Sequence, residues 1–73
     1  MNYMVVVEEG PHSFGAYVPD LPGCVAVGET RDEVTVLIKE AVELHVADLH
    51  ARGESVPLPT SSSVTVEVQL ASV

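Results

Sequence analysis

Residues 19–53, PDLPGCVAVGETRDEVTVLIKEAVELHVADLHARG, place a tight turn, a short apolar strand, a helix start and a helix stop in direct succession. Few folds accommodate that order. Leu21-Pro22-Gly23-Cys24 carries proline where φ must be negative and glycine where φ is positive, the two requirements of a type II turn. Residues 24–27 then predict a short strand ending at Gly28. Thr30-Arg31-Asp32-Glu33 has the form of a capping box, in which the Thr30 hydroxyl accepts from the Glu33 N–H while the Glu33 carboxylate reaches back. Asp32 and Glu33 complement the positive end of the helix dipole, and Arg52 the negative end. Gly53 suits the left-handed residue just past a helix. Together these signals predict a helix of roughly 22 residues, about 33 Å long.

At about 100° per residue, Val34, Ile38, Ala41, Val42, His45 and Leu49 share one face of that helix, with Leu37 and Leu44 flanking. Lys39, Glu40, Glu43 and His50 face away. A helix with one apolar side is built to lie on a sheet. Val36 and Val46 fall off the main face, which makes them candidate contacts for a partner.

The strands for that sheet come from both ends of the chain. Residues 3–8 are rich in β-branched side chains, with apolar groups on both faces as in a central strand. Residues 9–13 supply turn chemistry, and residues 14–18 predict the second arm of a hairpin. Asp20 is expected to cap its own turn through its side chain. Residues 54–63, with Pro57, Pro59 and three consecutive serines, form a connector. Residues 64–70 then alternate strictly between apolar and polar, the pattern of a half-buried strand. That last strand is regular and lightly charged, so its outer edge would invite pairing with another copy. Val64, Val66, Val68 and Leu70 therefore join the contact candidates.

The order β-β-β-α-β predicts an α+β domain of two layers, one mostly antiparallel sheet covered by one long helix. A right-handed crossover would deliver the last strand beside the first. The plan is similar to a partial ribonuclease H fold. Residues 1–73 are expected to form a single domain, with no C-terminal DNA-binding domain after it.

Composition narrows the function. Eleven acidic residues against three basic ones give a net charge of −8. Nucleic-acid binders need clustered Lys and Arg to displace phosphate counterions, and Arg31, Lys39 and Arg52 stand singly. Direct nucleic-acid binding is therefore not expected; an acidic surface suits a basic partner. Apolar residues make up 47% of the chain but aromatics only 4%. A core that thin gains stability from a partner subunit, so a homo-oligomer, dimer or higher, is expected. Cys24 is the lone cysteine, which fits a reducing compartment. The N-terminus has neither a basic n-region nor a span-length apolar run. A cytoplasmic protein without a membrane segment is the expectation.

Four fragments carry a family resemblance. Asp20-Leu21-Pro22-Gly23-Cys24 is followed by Gly28-Glu29-Thr30, by Glu40-Ala41-Val42-Glu43-Leu44 within the helix, and by Gly53-Glu54-Ser55-Val56-Pro57-Leu58-Pro59 at its exit. In that order and register they resemble the HicB-like antitoxin family, over nearly the whole chain. The resemblance implies a partial ribonuclease H-like fold, self-association, and neutralisation of HicA, a small basic mRNA-cleaving toxin, by occlusion. Many members add a C-terminal helix-turn-helix or ribbon-helix-helix domain that binds operator DNA, whereas this sequence ends after its last predicted strand.

Residue chemistry offers little to an enzyme. A ribonuclease H-like site needs several carboxylates converging on two metal ions, the first of them on the first strand, and residues 3–7 contain no acid. Asp20, Glu29, Glu40 and Glu43 qualify by type only. His45 and Asp48, at i and i+3, form a weak candidate metal pair; the competing reading of His45 is a packed ring with its polar tip at the rim. His50 lies too far around the helix to share a metal with His45. Cys24, with no basic or histidine neighbour in sequence, reads as a small buried residue rather than a nucleophile. The expectation is a non-enzymatic protein without cofactor or metal. The alternatives are a toxin-free oligomeric structural or ligand-binding module and, last, a degenerate metal-dependent nuclease.

Overall fold

The computed structural model describes residues 1–71, and its first three elements form one meander. Strand β1 (Val6–Glu9) pairs antiparallel with β2 (Phe14–Tyr17), and β2 with β3 (Val25–Gly28), in the order β1-β2-β3. Val6 lies opposite Tyr17 and Glu9 opposite Phe14; Phe14 in turn lies opposite Gly28, and Tyr17 opposite Val25. The first hairpin is closed by a 2.8 Å bond from the Gly10 N–H to the Ser13 carbonyl. Helix α1 (Arg31–Ala51) follows β3 after two residues and runs 21 residues. The α+β class, with three antiparallel strands and one long helix, is as the sequence predicts.

Strand β1 starts three residues later than the apolar pattern suggests. Its partner runs out: Tyr17 is the last ladder residue of β2, and the Val18 N–H turns away to the Cys24 carbonyl at 3.2 Å. Residues 3–5 therefore continue the strand direction without a ladder on that side.

The fourth strand does not form. Residues 64–70 pair with nothing among the described residues, and Val64, Val66, Val68 and Leu70 are between 69% and 91% exposed. Alternation specifies a strand only where an edge and an apolar surface receive it, and this chain does not fold its tail back onto β1. The molecule is 57 Å long as a result, against about 32 Å for the helix alone.

The core is small and wholly apolar. Ala16, Val18, Leu21, Cys24, Val34 and Ile38 are buried, with Tyr3, Val5, Val7, Phe14, Ala26, Ala41, Val42 and Val46 packed around them. Ala16 and Ala26 face each other across β2 and β3, so small side chains form the floor on which the helix rests. Val46 belongs to this stripe although the wheel puts it off the main face, while His45 and Leu49 are only half-buried. The stripe follows the i+4 row 34-38-42-46, and that row is inclined to the helix axis. It therefore drifts toward the N-terminal segment that packs there. No helix among the described residues is long and apolar enough to cross a membrane.

Candidate functional site

An open concavity lies beside β1, which among the described residues has a neighbour on one side only. Beyond its free edge, Tyr3, Val5 and Val7 face Ile38 and Val42 across an open groove of about 620 Å³. Arg31, Lys39 and Glu43 stand on its helical rim, so two of the three basic residues of the chain border it. A second depression of about 450 Å³ continues the groove past Val42 to Val46, Ala47 and His50. The side chains on its floor recur at period two along residues 3–7 and at i+4 along the helix.

One end of the connector is tied down by two side chains. The Tyr3 hydroxyl donates to the Pro57 carbonyl. The Asp20 carboxylate accepts four bonds: from the Thr60 N–H and hydroxyl, both at 3.1 Å, and from the Ser61 N–H and hydroxyl at 2.9 and 2.8 Å. The bond from the Ser61 backbone, opposed by partial desolvation and aided by the remaining bonds, holds the Asp20 carboxyl below its ordinary value. Asp20 thus does not cap its own turn as expected. Fully occupied acceptors also make it a poor catalytic base.

The turn and cap residues sit where their chemistry requires. Gly23 has φ +83°, and the Cys24 N–H bonds the Leu21 carbonyl at 3.1 Å across the turn. The Thr30 hydroxyl accepts from the Glu33 N–H at 3.0 Å. The Glu33 carboxylate reaches one residue further back than a reciprocal box requires, to the Glu29 N–H at 3.2 Å. At the other end Gly53 has φ +70°, its N–H bonds the His50 carbonyl, and the Glu54 N–H bonds Leu49. That pair of bonds is a Schellman motif.

The remaining polar candidates do not converge. His45 is half-buried, whereas Asp48 is exposed and pairs with Arg52 at 2.8 Å. Among the described residues no three His, Cys, Asp or Glu side chains come together as a metal site. Glu29, Glu40 and Glu43 are exposed. Burial pushes the Cys24 thiol up, away from the reactive thiolate. Val36 is 57% exposed on the outer helix face.

Sequence comparison decides what such a scaffold belongs to. The chain matches, over residues 3–70, the family described as HicB-like antitoxin of bacterial toxin-antitoxin systems. It is 31% identical over 67 residues to a UPF0150 protein of Thermoplasma acidophilum, covering 90% of this chain and 97% of the relative. It is 38% identical over 66 residues to one of Helicobacter pylori, covering 90% of each. The chain belongs to the HicB-like antitoxin family. A UPF0150 protein of Synechocystis is 39% identical over 57 residues, or 77% of this chain and 72% of that one. No solved structure matches it significantly.

For a HicB-like chain the motif residues acquire a physical meaning. Leu21 and Cys24 are core, Gly23 and Gly53 turn the backbone, and Thr30 and Glu33 start the helix. These residues shape the scaffold. Membership in an antitoxin family points to a non-enzymatic role with a toxin as partner. Two features escaped the sequence reading. The bond between Asp20 and Ser61 spans 41 positions and leaves no local signal. The placing of Arg31 and Lys39 at a groove depends on the free edge of β1, which only the unpaired tail reveals.

Proposed function

We propose that this HicB-like protein neutralises a small basic HicA-like, mRNA-cleaving toxin by binding it and covering its active surface, as a homo-oligomer in the cytoplasm. The observation that carries the reading is the family match across residues 3–70. The net charge of −8 supports it, because opposite charge speeds encounter with a basic partner and disfavours wrong ones. Exposed Asp32, Glu40 and Glu43 put acid along the helix. The β-β-β-α order is compatible with a partial ribonuclease H-like plan in which residues 3–7 carry no acid and the carboxylates of the first strand, Glu8 and Glu9, stand at its far end, and residues 1–73 act as one domain.

Co-expression with a small basic protein encoded in an adjacent reading frame tests this. The two are expected to co-purify, and this chain is expected to restore growth that the neighbour alone arrests. Failure of both removes the antitoxin role. The exposed, alternating tail favours a second reading, a toxin-free homo-oligomeric module; an isolated gene beside no basic neighbour would support it.

A further inference from the structure

Residues 64–70 and the groove beside β1 have matching chemistry. The tail presents Val64, Val66, Val68 and Leu70 on one side, all exposed. The groove presents Tyr3, Val5 and Val7 at the same two-residue period, backed by Ile38 and Val42. Seven extended residues span roughly 23 Å, the reach of residues 3–9. Among the described residues nothing pairs with the backbone of β1 on that side. We propose that residues 64–70 of one copy lie as a fourth strand in the groove of a second copy, along the free edge of its β1, and that the exchange is reciprocal.

Surface and size support a second copy as the occupant. The chain exposes 5798 Å², whereas a compact monomer of 7.7 kDa exposes about 4,300 Å². The excess, about 1,500 Å² per chain, exceeds the roughly 800 Å² that each partner contributes to a standard interface. The radius of gyration is 15.3 Å, against about 11 Å for a compact domain of this length. Asp20 fixes Thr60 and Ser61, so the tail leaves the domain from an anchored point, and its apolar side stays uncovered while the domain's own groove is open. Charge also permits the contact. Glu67 is the one charged residue of the tail, and alternation puts it on the face opposite the valines, so no charge of the tail enters the apolar groove. Reciprocal exchange satisfies both edges and closes a twofold dimer.

This inference names the surface of self-association and does not depend on a toxin. It is tested on the full-length chain in two ways. Isotope-filtered NMR of a mixture of labelled and unlabelled chains is expected to show contacts between chains from the Val66 and Val68 methyls to the Tyr3 ring or Val42 methyls. The same contacts found only within one chain, or their absence, overturn the proposal. In sedimentation, the wild-type chain is expected at twice the monomer mass, and the double variant Val66→Asp, Val68→Asp at the monomer mass with unchanged helical circular dichroism. A monomeric wild type, or a double variant that remains dimeric, overturns it. A monomer that still captures toxin would remove this proposal alone, whereas a strand-exchanged dimer without toxin binding would remove only the antitoxin reading.

Discussion

The Asp20 carboxylate accepts from both the backbone N–H and the hydroxyl of Ser61, at 2.9 and 2.8 Å. A turn between two strands thereby holds the connector that follows the helix. The same carboxylate takes two bonds from Thr60, so its four acceptor sites are filled.

The bond from the Ser61 backbone and its companions lower the Asp20 pKa below 3.8. A carboxyl depressed in the folded state contributes stability that is fully present above its unfolded value and is lost as pH falls through the folded one. The Thr60 and Ser61 amide resonances should therefore titrate together at a pH below the ordinary aspartate range. Asp20→Asn, which turns an acceptor into a donor facing N–H groups, should abolish that titration and speed hydrogen exchange at both amides. Amides indifferent to the substitution would contradict the clamp.

Gly28 is buried where β3 meets the helix. A Cβ there would stand 2.9 Å from the Val34 backbone nitrogen and 3.1 Å from its Cα, and backbone cannot swing aside. Gly28→Ala should destabilise by about 1–3 kcal/mol, read as a lower urea midpoint. Gly15→Ala, with nothing within 4 Å of its Cβ position, is the control that should cost far less.

Leu21 is fully buried within the turn that the motif defines. Leu21→Ala should cost about 2–5 kcal/mol. A chain of this length has a total stability of only about 4–11 kcal/mol, so the variant should be partly unfolded at 37 °C, visible as a collapsed thermal transition.

Cys24 is 3% exposed and its thiol is pushed up by burial. It should react slowly with a thiol reagent in the folded protein and rapidly in urea. Fast reaction in native buffer would mean that the turn opens readily.

Much of this scaffold was legible because its signals are local. Thr30, Glu33, Gly23 and Gly53 each act within a few residues, and each finds the partner its type requires. The fourth strand fails to form for the opposite reason. Alternation at residues 64–70 states that an apolar face exists, not which surface receives it. Val46 shows the same limit on a smaller scale: a helical wheel gives angles, whereas the packed stripe follows whichever row the neighbouring segment touches. Asp20 was read as a turn residue because its partners lie 40 and 41 positions away.

The two-residue link between β3 and α1 bears on how the chain is made. Turn, third strand and helix lie within residues 19–53, so their mutual contacts close over short stretches of chain and form quickly. Synthesis proceeds from the N-terminus at about 5–20 residues per second, so the connector and tail leave the ribosome after the sheet and helix. Whatever surface the tail meets, sheet and helix have already taken shape when it arrives.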